Sequence, residues 1–162
     1  ERVQDLPAGL APVARYQRLR AQGRYDPARQ FLLDNMTYDG RAGYRVLTPL
    51  ELPDGRILVV DRGFVPGSGD RRRLPEIGVQ DTPREVTGRA DTLPRPGIEL
   101  EAPASSGWPR IVSFPRIEQL GADLGRPVFP QVLLLDPDRP DGYVREWAPA
   151  TLGPQRHIGY AV

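Results

Sequence analysis

The stretch TPLELPDGRILVVDRGFVP, Thr48 to Pro66, constrains the fold more than any other part of the chain. Leading into and through it, Tyr44, Val46, Thr48, Leu50 and Leu52 share one parity, with Arg45 and Glu51 on the other. A period of two is the pattern of a half-buried strand. Leu52-Pro53-Asp54-Gly55 then reads as a turn: Pro presets φ, Asp bonds its own backbone and Gly tolerates positive φ. Ile57-Leu58-Val59-Val60 is apolar on both parities, which predicts a central strand covered on both faces. It continues through Arg62-Gly63-Phe64-Val65 to Pro66, where Pro ends the ladder. This hairpin carries no Cys, His or Ser. Order without reactive groups suggests a scaffold or a docking surface.

The rest of the chain must build a sheet around it. Nineteen Pro and 17 Gly in 162 residues punctuate too often for long helices. Residues 1–13 read as an arm or a short helical turn. Strands are expected over 14–25, 29–34, 84–92, 111–114, 131–136 and 143–147. Loops are expected at 35–43, around an Asp39-Gly40 turn, and at 67–83, with a Pro-rich excursion over 93–109. Thr87-Gly88-Arg89-Ala90-Asp91 faintly echoes Gln22-Gly23-Arg24-Tyr25-Asp26. The one helical pattern lies near 115–125, where Ile117, Leu120 and Leu124 repeat and Gly125 with Pro127 stops it. The expected class is mainly β (α+β): a curled antiparallel or barrel-like sheet with one short helix, as a single domain over 1–162.

Composition narrows the function classes. A net charge of +1 argues against a broad nucleic-acid footprint. Every basic residue is Arg and none is Lys, which reads as codon bias in a GC-rich genome. The absence of Cys excludes disulfides, thiolate catalysis and cysteine metal sites. No apolar run approaches the roughly 18 residues of a membrane span. The sequence starts on Glu1 and ends on the apolar Ile158-Gly159-Tyr160-Ala161-Val162, which predicts a piece of a longer chain.

Candidate chemistry is sparse. Gly67-Ser68-Gly69 is neither a nucleophile elbow nor a phosphate loop. Arg71-Arg72-Arg73 reads as a solvated loop, or as a contact for a phosphate or an acidic partner surface. Asp136 to Gly142 looks calcium-like, but its third carboxylate is misplaced and Trp147 stands where the closing Glu belongs, so a tight turn is expected. No Ser/His/acid set or carboxylate pair points to a hydrolase. The single histidine, His157, cannot make a zinc site alone. A lone His can be an axial ligand to haem iron, because the porphyrin supplies the other four nitrogens. On composition alone a structural histidine is the reading to expect.

Taken together, Gly43-Tyr44-Arg45-Val46-Leu47-Thr48-Pro49-Leu50, Asp54-Gly55 and Val59-Val60-Asp61-Arg62-Gly63-Phe64-Val65-Pro66 resemble the signature of the surfeit locus protein one family. Gly23-Arg24-Tyr25-Asp26, Leu32-Leu33-Asp34-Asn35, Val132 to Asp136 and Arg156-His157-Ile158-Gly159-Tyr160 extend the match over most of the chain, in order. The resemblance implies an assembly factor for cytochrome c oxidase, not an enzyme. It implies a bacterial inner-membrane protein whose periplasm-facing domain, this sequence, lies between two membrane helices. It implies help in delivering or inserting haem a into oxidase subunit I, with the haem a synthesis machinery as a further partner. By the same resemblance His157 is the haem-binding histidine, within a cofactor-binding run that includes Arg156 and Tyr160. The alternative is a cofactor-free protein-docking module. One departure is Asp61, where the family usually has Asn; a nearby Arg62 or solvent would accommodate its charge. A family tryptophan soon after the His-x-x-Tyr lies beyond Val162.

Overall fold

In the computed structural model, residues 2–70, 72–94 and 106–147 are described, and within them run eight strands and one helix. In chain order these are β1 (Gln4–Asp5), β2 (Arg18–Tyr25), β3 (Phe31–Tyr38), β4 (Arg41–Glu51), β5 (Ile57–Pro66), β6 (Arg84–Asp91), β7 (Arg110–Val112), α1 (Ile117–Leu124) and β8 (Val128–Leu135).

The hairpin forms as read, β4 pairing with β5 from Gly43↔Pro66 to Glu51↔Ile57. Around it five strands close in the order β2-β4-β5-β8-β6 and back to β2. The β5–β8 pair is parallel and the other four are antiparallel. That is the strand order of an OB-type Greek-key barrel. The expected barrel-like sheet with one short helix is therefore observed, with parallel pairs added at β1–β2, β3–β7 and β5–β8.

Each barrel strand sends side chains inward. Leu19, Ala21, Tyr25, Leu50, Leu58, Val60, Val86, Ala90, Phe129, Leu133 and Leu135 form one buried cluster. On the outer wall, α1 lays Leu120 and Leu124 over Leu47, Ile57, Val59, Val132 and Leu134. Burying each of those two leucines stabilises by about 1.5–3 kcal/mol. This explains why the start of β5 is apolar on both parities: one face meets the barrel interior and the other meets the helix layer. The echoed glycines also gain a reason. Gly23 in β2 and Gly88 in β6 lie on antiparallel neighbours, and a Cβ at either would strike a carbonyl of the next strand, Glu51 O or Leu134 O.

One expectation is narrowed and two are corrected. Residues 2–13 hold no helical turn and form the expected arm, in which Gln4 and Asp5 pair in parallel with Leu19 and Arg20. Residues 35–43 are not a loop, because β3 runs to Tyr38 and β4 starts at Arg41, the chain reversing at Asp39-Gly40. A bulge between Leu33 and Met36, with Asn35 at φ 63°, broke the alternation that would have revealed this. Residues 143–147 do not form a strand; they make a single bridge, Val144 to Phe64. Among the described residues no helix is long and apolar enough to cross a membrane.

Candidate functional site: a buried arginine and the strap it holds

β5 is buried from Ile57 to Val65, yet it carries two charges in sequence, Asp61 and Arg62. Successive strand residues point to opposite faces, so these two cannot neutralise each other. Each needs its own partners. Asp61, 1% exposed, is met from β4: its Oδ2 accepts from Arg45 Nε at 2.7 Å and lies 2.6 Å from Arg45 Nη2. Its Oδ1 accepts the Gly63 N–H at 3.0 Å. The expectation that Arg62 or solvent balances Asp61 is thus corrected: the partner is Arg45.

Arg62, also 1% exposed, has no carboxylate at ion-pair distance among the described residues. It is satisfied by neutral acceptors instead. Nε donates to Thr48 Oγ1 at 2.7 Å, and Nη2 to Gln30 Oε1 and the Ile77 carbonyl, both at 2.8 Å. Nη1 donates to the Asp141 carbonyl at 2.8 Å. The Tyr25 and Tyr143 rings lie 5.7 and 5.3 Å from its Cζ. Burial lowers its pKa, opposed by Tyr143, Tyr25 and Asp141; a guanidinium nevertheless stays charged. One side chain thereby bolts together β4, the lead into β3, the loop before β6 and the segment after β8.

Beside it, burial pushes the Tyr25 phenol up to about 12, against the pull of Arg62 and Arg84. Its hydroxyl has no hydrogen-bond partner among the described residues. The Arg84 guanidinium lies 4.8 Å from the same ring and pairs with the Asp141 carboxylate.

The segment after β8 is a strap across these groups. Tyr143 N–H donates to the Arg62 carbonyl at 2.6 Å, and Phe64 N–H to the Val144 carbonyl at 2.9 Å. Gly63, at φ 111°, makes this approach possible, since a Cβ there would stand 2.6 Å from Val144 O. The strap then reaches Trp147, whose Nε1 donates to the Leu135 carbonyl at 2.8 Å and whose ring lies 5.1 Å from Arg45 Cζ. The calcium-like loop is a turn, and its carbonyls are filled from within the chain. Arg145 Nη1 donates to the carbonyls of Asp136 at 2.7 Å and Arg139 at 2.9 Å, and Nη2 to that of Pro137 at 3.1 Å. No group of three or more His, Cys, Asp or Glu placed to hold a metal occurs among the described residues.

Of the residues expected to bind a cofactor, Arg156, His157 and Tyr160 all lie outside the described residues. Trp147 precedes His157 by ten positions in sequence. In the Gly67–Asp70 loop, Ser68 Oγ lies 2.9 Å from the Asp70 carbonyl and 3.0 Å from the Arg73 carbonyl, its one proton shared between them, closing the loop on itself. Sequence reasoning missed Arg62, Arg45, Gln30 and Thr48. The signal was available: an arginine inside a strand covered on both faces must be buried and must find acceptors.

The model of the SURF1 family matches residues 1–162. No curated protein and no solved structure gives a match. The chain belongs to the SURF1 family, a family of cytochrome oxidase assembly factors and not of enzymes.

Proposed function

We propose that this chain assists delivery or insertion of haem a into subunit I of cytochrome c oxidase, receiving it from the haem a synthesis machinery. It works at the bacterial inner membrane with its barrel facing the periplasm, anchored by flanking membrane helices. The observation that carries this reading is the clasp. The signature strand β5 spends its buried arginine and Gly63 on holding residues 141–144, and that strap leads along the chain to Arg156, His157 and Tyr160. The order seen in the hairpin is what a holder of that run requires.

The barrel itself does not fit haem. Side chains from all five strands fill its interior, and the described residues include neither His nor Cys. An apolar porphyrin needs a greasy slot and an axial ligand. On this reading the cofactor contacts belong to Arg156, His157 and Tyr160, as the family resemblance implies, and the barrel's part is to support that run. The same filled barrel favours a second reading, a cofactor-free docking module in oxidase biogenesis.

Deleting the gene and complementing with wild type or His157→Ala separates the two. The readouts are the reduced-minus-oxidised haem a spectrum of membranes, oxidase activity and the amount of the protein. On the haem a reading, wild type restores both signals and an accumulating His157→Ala restores neither. Full restoration by His157→Ala selects the docking module. Unchanged haem a and oxidase after deletion, in a strain with no second copy, overturns both.

A further inference from the structure

Two buried donors beside the Arg62 knot have no partner among the described residues. One is the hydroxyl of Tyr25, a residue 1% exposed at the end of β2. The other is Nε of Arg84, the first residue of β6. β2 and β6 pair Gly23 with Arg84, and the Arg84 Cζ lies 4.8 Å from the Tyr25 ring. The other Arg84 nitrogens are committed, Nη1 to the Asp141 carboxylate and Nη2 to the Gln80 carbonyl. A buried donor without an acceptor is costly, and two in one place call for a shared acceptor. The local charge says of what kind. Of the charges acting most strongly on the Tyr25 phenol, three are guanidiniums (Arg62, Arg84 and Arg145) and one is a carboxylate, Asp141. Arg145 spends its nitrogens on carbonyls of the 136–139 turn, and Arg62 on neutral acceptors. A water would satisfy the two donors and leave the excess positive charge; an anion answers both. Both donor atoms lie beneath the surface, so the ligand has the size of a single ion, not of a phosphate. Arg84 also lines an open cavity of about 620 Å³ with Gly23, Arg24 and Glu51, which gives an approach from solvent.

We propose that the Tyr25 hydroxyl and Arg84 Nε are the two donors of an internal site for one small monovalent anion of the halide class, which serves as a counter-charge for the Arg62 knot. The ion ties the ends of β2 and β6 to the strap, because Arg84 and Arg62 both grip Asp141. It is a stabilising ion of the barrel, and it stands whether the protein handles haem a or only docks.

The test melts the full-length protein while sodium gluconate is exchanged for sodium chloride or bromide at fixed ionic strength, so that screening stays constant. Wild type should gain about 5 °C, saturating as the halide rises well above its dissociation constant. Tyr25→Phe changes only the hydroxyl and should lose this gain. In gluconate it should melt at or above wild type, because it removes an unpaired buried hydroxyl, and in saturating chloride below it. That reversal of order is the signature of a bound ion. Arg84→Lys keeps a cation for Asp141 and removes the Nε donor, and should weaken the apparent halide affinity by about tenfold or more. An absent or unsaturable halide response in wild type overturns the proposal. So does an undiminished response in Tyr25→Phe, which would place the ion elsewhere. Should Tyr25→Phe fail to fold, Arg84→Lys is read in its place, together with crystals of the wild-type protein grown in bromide. An anomalous peak touching both donors supports the site, and a water in that position overturns it.

Discussion

The backbone N–H of Tyr143 donates to the carbonyl of Arg62 at 2.6 Å, while the Arg62 side chain reaches forward to the carbonyl of Asp141. Main chain and side chain of one residue thus grip the strap at two points, two residues apart. Phe64 and Val144 complete the grip, exchanging two further bonds.

Replacing Arg62 with Leu should therefore damage both the barrel and the strap. The acceptors at Gln30, Ile77 and Asp141 would be left short of a donor, each at roughly 1–3 kcal/mol. We expect a loss of more than about 3 kcal/mol in urea unfolding, with Arg62→Lys recovering little, since an ammonium cannot span acceptors on four segments. A wild-type urea midpoint for Arg62→Leu would show that the knot contributes nothing.

Gly43 and Gly63 fail for different reasons. A Cβ at Gly43 would run into the Val65 carbonyl and the Phe64 ring, inside the β4–β5 ladder. Gly43→Glu should cost roughly 3 kcal/mol or more, about 6–12 °C in melting temperature. At Gly63 the obstacle is the strap, together with a positive φ. Gly63→Ala should expose the strap to protease under conditions where the barrel stays folded. Unchanged melting of Gly43→Glu, or unchanged strap cleavage in Gly63→Ala, would contradict these packing assignments.

Tyr25 makes alkaline stability a readout of the knot. Burial holds its folded pKa at about 12, above the ordinary tyrosine value of 10.0. The unfolded chain therefore loses this proton first as pH rises. The contribution is fully present below pH 10 and is lost as pH climbs through about 12. It amounts to up to roughly 3 kcal/mol. Tyr25→Phe should flatten this part of the stability–pH curve. An identical slope in the variant would place the titration elsewhere.

Arg145 already donates to the carbonyls of Asp136, Pro137 and Arg139. Added calcium should therefore leave the melting temperature unchanged, and a chelator should do the same. A calcium-dependent rise would mean that the loop exchanges its guanidinium for an ion.

What the sequence revealed followed local rules. The β4–β5 hairpin was legible because alternation, a Pro-Asp-Gly turn and a two-faced apolar run agree with one another. The helix was legible from Leu120, Leu124 and its Gly125 stop. β1 was not, because two exposed residues pairing with Leu19 and Arg20 leave no pattern of their own. The extension of β3 was hidden by the bulge at Asn35. The strap looked like a strand because Tyr143, Arg145 and Trp147 alternate, yet their partners are the carbonyls of Arg62, of the 136–139 turn and of Leu135, and the guanidinium groups of Arg62 and Arg45, rather than a ladder. Arg62 stood in plain view within the apolar run, but its acceptors lie 14 to 79 positions away and no spacing announces them. Asp61 was assigned to the wrong arginine by proximity in sequence, where strand geometry separates neighbours and joins Arg45 across the ladder.

The span of those contacts also sets a sequence of events. A chain emerging from its N-terminus makes Gln30 and Thr48 before Arg62, and Ile77 only 15 residues later. β8 must follow before the barrel can close, and the Asp141 carbonyl arrives 79 residues after the arginine it satisfies. Until then the guanidinium has an empty place. The strap can accordingly complete the Arg62 contacts only after every barrel strand has been made. Emergence order thus delays the strap until there is a folded body to hold it.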